Sequence, residues 1–295
     1  LVLRVDPGTG AQSTVSSGGF LTLPTDITVV DLPECGDGVA EGPEECDDGN
    51  TTDGDCCSSA CEFEPAGSSC PDGNVCNGDD TCDGAGTCQP GTTLDCDDGD
   101  ACTQDSCDPV GGCENPAEPA TTCADTWAKA SLLVKEDIAG KERIQAKLLN
   151  GPALGQSEFG DPLVASGTAY TVCIYDGADA LAGRIEVDRA ASLCAGRDCW
   201  KAVGATGYLY KDKDASADGA KSVKLLGGAA GKSKVLLKAA NNSSKGQTSL
   251  PLGVAAALSG STSATLQVHG SDAPSCFSAV LGTVTKDTGS FFKAK

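Results

Sequence analysis

Residues 35–123 contain no lysine, no arginine and no histidine, although they hold fourteen of the chain's eighteen cysteines and twenty-two of its 42 acidic residues. A stretch without positive charge cannot neutralise itself by ion pairs, and it offers nothing to nucleic acid or to an anionic membrane. Large apolar side chains are nearly missing as well: Val39, Phe63, Val75, Leu94 and Val110 are all it has. At about 25 cal/mol per Å² of buried apolar surface, so few side chains do not offset the entropy of ordering the segment. Covalent cross-links or metal must hold it. The whole chain has one histidine, two tryptophans and no methionine. Leu1 is therefore expected to be a processed end or the start of an excised piece, with an export signal upstream. No apolar run approaches the roughly twenty residues of a membrane-spanning helix, so no membrane span is expected.

The net charge of −21 over 295 residues is unevenly divided. It belongs to the middle of the chain, whereas residues 124–295 carry a small excess of lysine and arginine. Composition thus marks three parts: 1–34, 35–123 and 124–295. Cysteine at this density and in even number reads as a disulfide framework in an oxidising, extracellular place. Zinc would want closer Cys-x2-4-Cys pairs, usually with histidine, and His269 lies far from the cluster. Residues 1–34 alternate in the manner of strands, with Leu1, Leu3 and Val5 on one side and Leu21, Leu23, Ile27 and Val29 recurring around Pro24. Pro7-Gly8 and Gly18-Gly19 mark turns.

Three resemblances follow from particular motifs. Arg4-Val-Asp-Pro-Gly-Thr-Gly10, a serine-glycine turn and the apolar strand around Pro24-Thr-Asp-Ile27 resemble a single repeat of the six-bladed-propeller type of bacterial surface proteins. One repeat cannot close a propeller, so these strands are expected to pair with the C-terminal domain or with another molecule. The unit Cys35-Gly-Asp-Gly38, Glu44-Glu-Cys-Asp-Asp-Gly-Asn50 and Asp53-Gly-Asp-Cys-Cys-Ser-Ser-Ala-Cys61 resembles the myxobacterial cysteine-rich repeat. Cys56 stands where that family has glycine, which adds a fifth cysteine with a possible partner outside the unit. Two shorter repeats follow, Cys70, Cys76, Cys82, Cys88 and Cys96, Cys102, Cys107, Cys113. Fourteen cysteines allow too many connectivities to choose among; if each unit closes on itself, Cys56 and Cys123 remain to tie the ends. Lastly, Phe159-Gly-Asp-Pro162, Tyr170-Thr-Val-Cys-Ile-Tyr-Asp176, Gly207-Tyr-Leu-Tyr-Lys-Asp-Lys-Asp214 and Cys276-Phe277 resemble a C-terminal β-domain of exported proteins of the same bacteria. That likeness implies fold and secretion and supplies no activity.

From Trp127 onward, short alternating runs separated by Gly, Asn and Asp predict strands at 131–135, 143–149, 170–175, 184–188, 207–210, 222–226, 234–238, 264–269 and 276–285. Such spacing predicts an antiparallel β-sandwich. The expected fold is mainly β: a strand segment, an irregular disulfide-rich middle and the sandwich. Cys173 and Cys276 are expected to join two of its strands, and Cys194 and Cys199 to close a short loop.

Calcium is the strongest chemical candidate, because hard cations take six to eight oxygens. Asp47, Asp48, Asn50, Asp53 and Asp55 share one glycine-broken loop, and similar clusters recur at Asp79, Asp80 and Asp83 and at Asp95, Asp97, Asp98 and Asp100. The competing reading is a set of solvated Asp-Gly turns. Asp212, Asp214 and Asp218 form a weaker loop that Lys211 and Lys213 interleave. His269 is read as a surface residue at a strand end, and Asp287-Thr-Gly-Ser290, the short signature of aspartic proteases, lacks the second copy that chemistry needs. Taken together, these features lead to the expectation of an extracellular or cell-surface structural protein and not an enzyme. It would be a subunit of a layer or filament that forms a homopolymer by adding its N-terminal strands to a neighbour. A secreted adhesin or glycan-binding module is the alternative, with an accessory domain of a secreted hydrolase behind it.

Overall fold

The structure, a computed structural model, describes the backbone of residues 2–5 and 12–16 and all of residues 34–295. Strands β1 (Val2–Val5) and β2 (Gln12–Ser16) pair antiparallel as a two-stranded sheet. The apolar run expected between Leu21 and Val29, and the turns at Pro7-Gly8 and Gly18-Gly19, lie outside the described residues.

The contacts divide the chain differently from its composition. One unit comprises 1–72 and 77–92, and the other 73–76 and 93–295. The boundary expected at 123/124 is therefore displaced, because the last third of the cysteine-rich stretch folds with the C-terminal domain. Four disulfides close within the first unit, Cys35–Cys61, Cys46–Cys57, Cys56–Cys82 and Cys70–Cys88. Five close within the second, Cys76–Cys107, Cys96–Cys113, Cys102–Cys173, Cys123–Cys276 and Cys194–Cys199. No cysteine is free. Two expected pairings are corrected here. Cys173 and Cys276 do not join each other: each faces out of the sandwich and captures a cysteine of the preceding segment. Nor do Cys56 and Cys123 meet: the first repeat closes on itself through Cys35–Cys61 and Cys46–Cys57, its fifth cysteine pairs outside it with Cys82, and the two later repeats keep one internal bond each while Cys76 goes to Cys107 and Cys102 to the sandwich.

Short hairpins carry the cysteine-rich repeats. In the first unit β3 (Thr81–Cys82) pairs with β4 (Cys88–Gln89); in the second β5 (Ser106–Asp108) pairs with β6 (Gly112–Glu114). Cross-links replace a core in the first unit, where the buried apolar cluster is cystine itself, Cys56, Cys70 and Cys82.

The rest is a mainly β, antiparallel, sandwich-like fold. Its strands are β7 (Lys129–Lys135), β8 (Arg143–Gly151), β9 (Tyr170–Tyr175), β10 (Leu181–Val187), β11 (Leu193–Cys194), β12 (Arg197–Asp198) and β13 (Trp200–Ala202). They continue as β14 (Gly207–Lys211), β15 (Ala220–Leu226), β16 (Ser233–Ala240), β17 (Ala264–Gly270), β18 (Phe277–Leu281), β19 (Val284–Asp287) and β20 (Phe291–Ala294). An eight-stranded sheet runs β13-β14-β15-β16-β8-β7-β20-β19, and a four-stranded sheet runs β10-β9-β17-β18. The alternation in β8 buries Ile144, Ala146 and Leu148 while Gln145 and Lys147 stay partly open, as a half-buried strand should. From the four-stranded sheet Val172, Ile174, Leu266 and Val268 enter the same core. A single helical turn, α1 (Val254–Ala257), adds Val254 and Ala255. The expected strand at 276–285 is two, β18 and β19, parted at Leu281–Val284 so that the chain leaves one sheet for the other.

Strands β9 and β17 break the alternation: Cys173, Tyr175, Thr265 and Gln267 are buried on the face turned away from the core. The cysteine-rich residues 93–123 cover that face. One register row crosses the sheet as Arg184, Cys173, Gln267 and Ser278, and each strand in it holds the covering segment. Arg184 reaches the Asp100 carboxylate at 2.6 Å, and Cys173 is bonded to Cys102. Gln267 donates to the Ala120 carbonyl at 2.8 Å and accepts its N–H at 2.9 Å. The Ser278 N–H donates to the Ala124 carbonyl at 2.9 Å. The Tyr175 hydroxyl, buried beneath, donates to the Cys102 carbonyl at 3.0 Å. The Cys102–Cys173 bond spans 71 residues of sequence, so its loss releases a long loop in the unfolded chain. Replacing both cysteines by alanine is expected to cost about 2–4 kcal/mol and to lower the melting temperature by roughly 5–15 °C. An unchanged melting curve in the double variant would show that this cross-link adds nothing to the stability of the sandwich.

Candidate functional site

In the loop Asp47–Asp55, the leading cation candidate, the four aspartates do not form one close carboxylate group among the described residues. Asp47 instead closes the start of the unit. Its carboxylate accepts the N–H groups of Gly36 at 2.9 Å, Asp37 at 3.2 Å, and Gly38 and Gly49 at 2.8 Å each. Gly36, Gly38 and Gly49 all hold positive φ, which glycine adopts without penalty and which turns successive amides toward one anion. Asp48 accepts from Asn50 N–H, Asn50 Oδ1 from Thr52 N–H, Asp53 from Ser59 N–H and Asp55 from Cys57 N–H. The Asn50 side-chain amide donates to Asp55 at 3.1 Å. Asp48, Asn50 and Asp55 thus accept from N–H groups two residues on, whereas Asp47 and Asp53 tie more distant turns of the unit together.

The second cluster is rearranged. Asp97, Asp98 and Asp105 bring one carboxylate oxygen each within 4.8 Å of one another, all at exposed positions. Burial together with repulsion from Asp98 and Asp97 raises the Asp105 carboxyl above the ordinary aspartate range. Asp105 was missed because it lies beyond Cys102 in sequence and returns to the cluster only through the fold. Asp100 leaves the group: one oxygen takes Arg184 and the other accepts from Cys102 N–H at 3.0 Å. Asp83 accepts from Ala85 N–H at 2.7 Å and Thr87 N–H at 3.1 Å, and so closes the hairpin between β3 and β4.

The weaker candidates resolve into structural roles. Asp212 is buried; against the burial that would raise its pKa, hydrogen bonds from Ser216, Asp214 N–H and Tyr210 bring it below the ordinary range. Asp218 caps Glu186 N–H. Asp287 accepts from Gly260 N–H at 2.7 Å and Gly289 N–H at 3.1 Å, and these bonds lower its pKa. It holds a turn between β19 and β20. His269 differs from its expected surface position: it is half-buried, 3.8 Å from Cys123 Sγ of the Cys123–Cys276 bond, and burial lowers its pKa. All four tyrosines and both tryptophans are buried, with Trp127 edge-on to Phe277 and Trp200 in tilted contact with Tyr170 and Tyr210. None of these six rings offers the open face on which a sugar stacks, which removes the support for a glycan platform.

Compared with known proteins, the chain matches no family model, no curated protein and no solved structure.

The Asp47 cradle has a pH signature. Four backbone donors, Gly49 first, lower its pKa in the folded state. Its contribution to stability is therefore complete above the ordinary aspartate range and is lost as pH falls through the lowered value. In an amide-detected NMR titration, Gly36 and Gly38 are expected to shift together with a midpoint below pH 3.8. Asp47→Asn should abolish that transition. A midpoint at or above the ordinary value would mean that the cradle does not close in solution.

Proposed function

We propose that this chain is an extracellular structural protein, a subunit of a surface layer or filament, joined to its neighbours by its N-terminal strands. One observation carries the reading: among the described residues β1 and β2 pair only with each other. A lone two-stranded hairpin is marginally stable in water, and an added strand on a sheet edge satisfies it. The four-stranded sheet ends in β18, whose start is bridged by Ala124 and whose later part, at Val280, is exposed; an uncharged edge of that kind is a template for further pairing. Charge favours head-to-tail contact, since every charged side chain in residues 35–123 is acidic and residues 124–295 carry the excess of lysine and arginine. Nine disulfides with no free thiol suit an oxidising compartment. Among the described residues no helix is long and apolar enough to cross a membrane. A contact between unlike surfaces propagates unless the rotation closes a ring.

Light scattering and electron microscopy of the purified chain test this. Full-length protein is expected to form oligomers or filaments at micromolar concentration. Removing residues 1–33, or placing lysine on the edge strand by Val280→Lys, should leave monomers whose sandwich melts as before. A full-length chain that stays monomeric, or a truncated one that assembles equally well, overturns the reading.

A further inference from the structure

Outside both leading loops, one aspartate and one asparagine each carry a side-chain oxygen without a hydrogen-bond partner. Asp80 immediately precedes β3 and is only 4% exposed. Its backbone carbonyl accepts from Cys70 N–H at 3.1 Å, so residues 68–70, β3 and β4 lie side by side, with Asp80 at the entry to the middle strand. Its side-chain Oδ2 accepts from Asp72 N–H at 3.0 Å, whereas Oδ1 is shielded from solvent and has no hydrogen-bond partner. Asn77 repeats the pattern. Its amide nitrogen donates to Asp72 Oδ2 at 3.0 Å, and its Oδ1 is shielded and unpartnered.

The chain is held tightly behind these groups. A Cβ added at Gly91 would stand 2.6 Å from the Asp79 carbonyl oxygen, and one at Gly78 would collide with Thr92. Residues 91–92 therefore press against the backbone of 78–79 and close the loop on that side.

A shielded acceptor left without a donor loses its hydration without compensation, and the loss is greater when it carries charge. Proteins ordinarily satisfy it with Arg, Lys or His, yet residues 35–123 contain none of them. The compensating charge has to come from outside the segment. Both orphan atoms are hard oxygens, and every cysteine nearby is tied up as disulfide, so a soft metal finds no ligand here.

We propose that Asp80 and Asn77 form a divalent-cation site that takes calcium, with Asp72 holding the two side chains in place. The proposal rests on the extracellular reading only for the supply of calcium, since modules outside the cell bind it at about 0.1–1 mM. It does not depend on assembly.

Isothermal titration with calcium and terbium luminescence on the intact, oxidised chain provide the test. Wild type is expected to bind calcium with a dissociation constant of about 0.1–1 mM, and its melting temperature should rise with calcium and fall with chelator. Asp80→Asn keeps an acceptor for Asp72 N–H and should weaken binding at this site at least about tenfold. Asp97→Asn combined with Asp98→Asn should leave the site intact. Asn77→Asp, which adds a carboxylate, should bind more tightly and decides the matter should Asp80→Asn fail to fold. Wild type that binds neither ion at 10-fold above that range (about 10 mM) overturns the site. So does binding that survives in Asp80→Asn and disappears in the Asp97/Asp98 double variant. Either result leaves the assembly experiment untouched, because titration reads binding whether or not the chain polymerises.

Discussion

The register row Arg184, Cys173, Gln267 and Ser278 is the constraint on which the second unit depends. A four-stranded sheet packed on one side normally leaves its other face to water, and such strands alternate apolar and polar. Here the second face carries Tyr175, Thr265 and Gln267, none of them exposed. The covering residues 93–123 have almost no apolar side chains with which to adhere. Adhesion is therefore made by an ion pair, a disulfide, a paired side-chain amide and a backbone bridge, one from each strand. The dependence is mutual. The cover gains fixed points that its own sequence could not supply, and Gln267 and the Tyr175 hydroxyl gain the partners that make their burial tolerable.

Acidic composition acquires a structural meaning in the same way. Asp47, Asp53, Asp83 and Asp108 each accept backbone N–H groups, and each has a pKa lowered by those bonds. A segment with a single three-residue 3-10 turn and only short strands has many amide donors that no ladder satisfies. Carboxylates satisfy several at once through turns of the Asx kind. The high negative charge is then a by-product of using aspartate where other folds use secondary structure. Asp80 stands apart from this pattern because one of its oxygens has no amide to accept.

The sandwich was legible wherever one face met water. Strands β7, β8, β9, β14, β15, β16 and β17 announce themselves by alternation or by apolar runs bounded by glycine and aspartate. The small strands β11, β12 and β13 were not seen, because Cys194–Cys199 ties residues whose pattern is too short to show a period. Strand β20 was hidden by Phe291-Phe292 next to each other, of which only Phe292 is fully buried. Disulfide partners were illegible for a different reason. Spacing suggests closed repeats, but Cys102 and Cys123 are chosen by the sandwich, through the positions of Cys173 and Cys276. The cation candidates suffered likewise: sequence groups Asp100 with Asp97 and Asp98, and only the fold exchanges it for Asp105.

The division of the disulfides also determines how the two units are linked covalently. Residues 73–76 belong to the second unit yet lie within the loop that Cys70–Cys88 closes in the first. Cys76, the last of them, is bonded to Cys107. A pull applied between the two units therefore has two covalent routes. One follows the main chain at 92/93, and the other passes through the peptide links flanking 73–76 and across Cys76–Cys107. Neither route asks a hydrogen bond or an apolar contact to bear tension. Non-covalent contacts of about 1 kcal/mol each would yield one by one, whereas parallel covalent paths hold until a bond is reduced or cut. For a protein with so little core in its first unit, that arrangement supplies the durability that burial cannot.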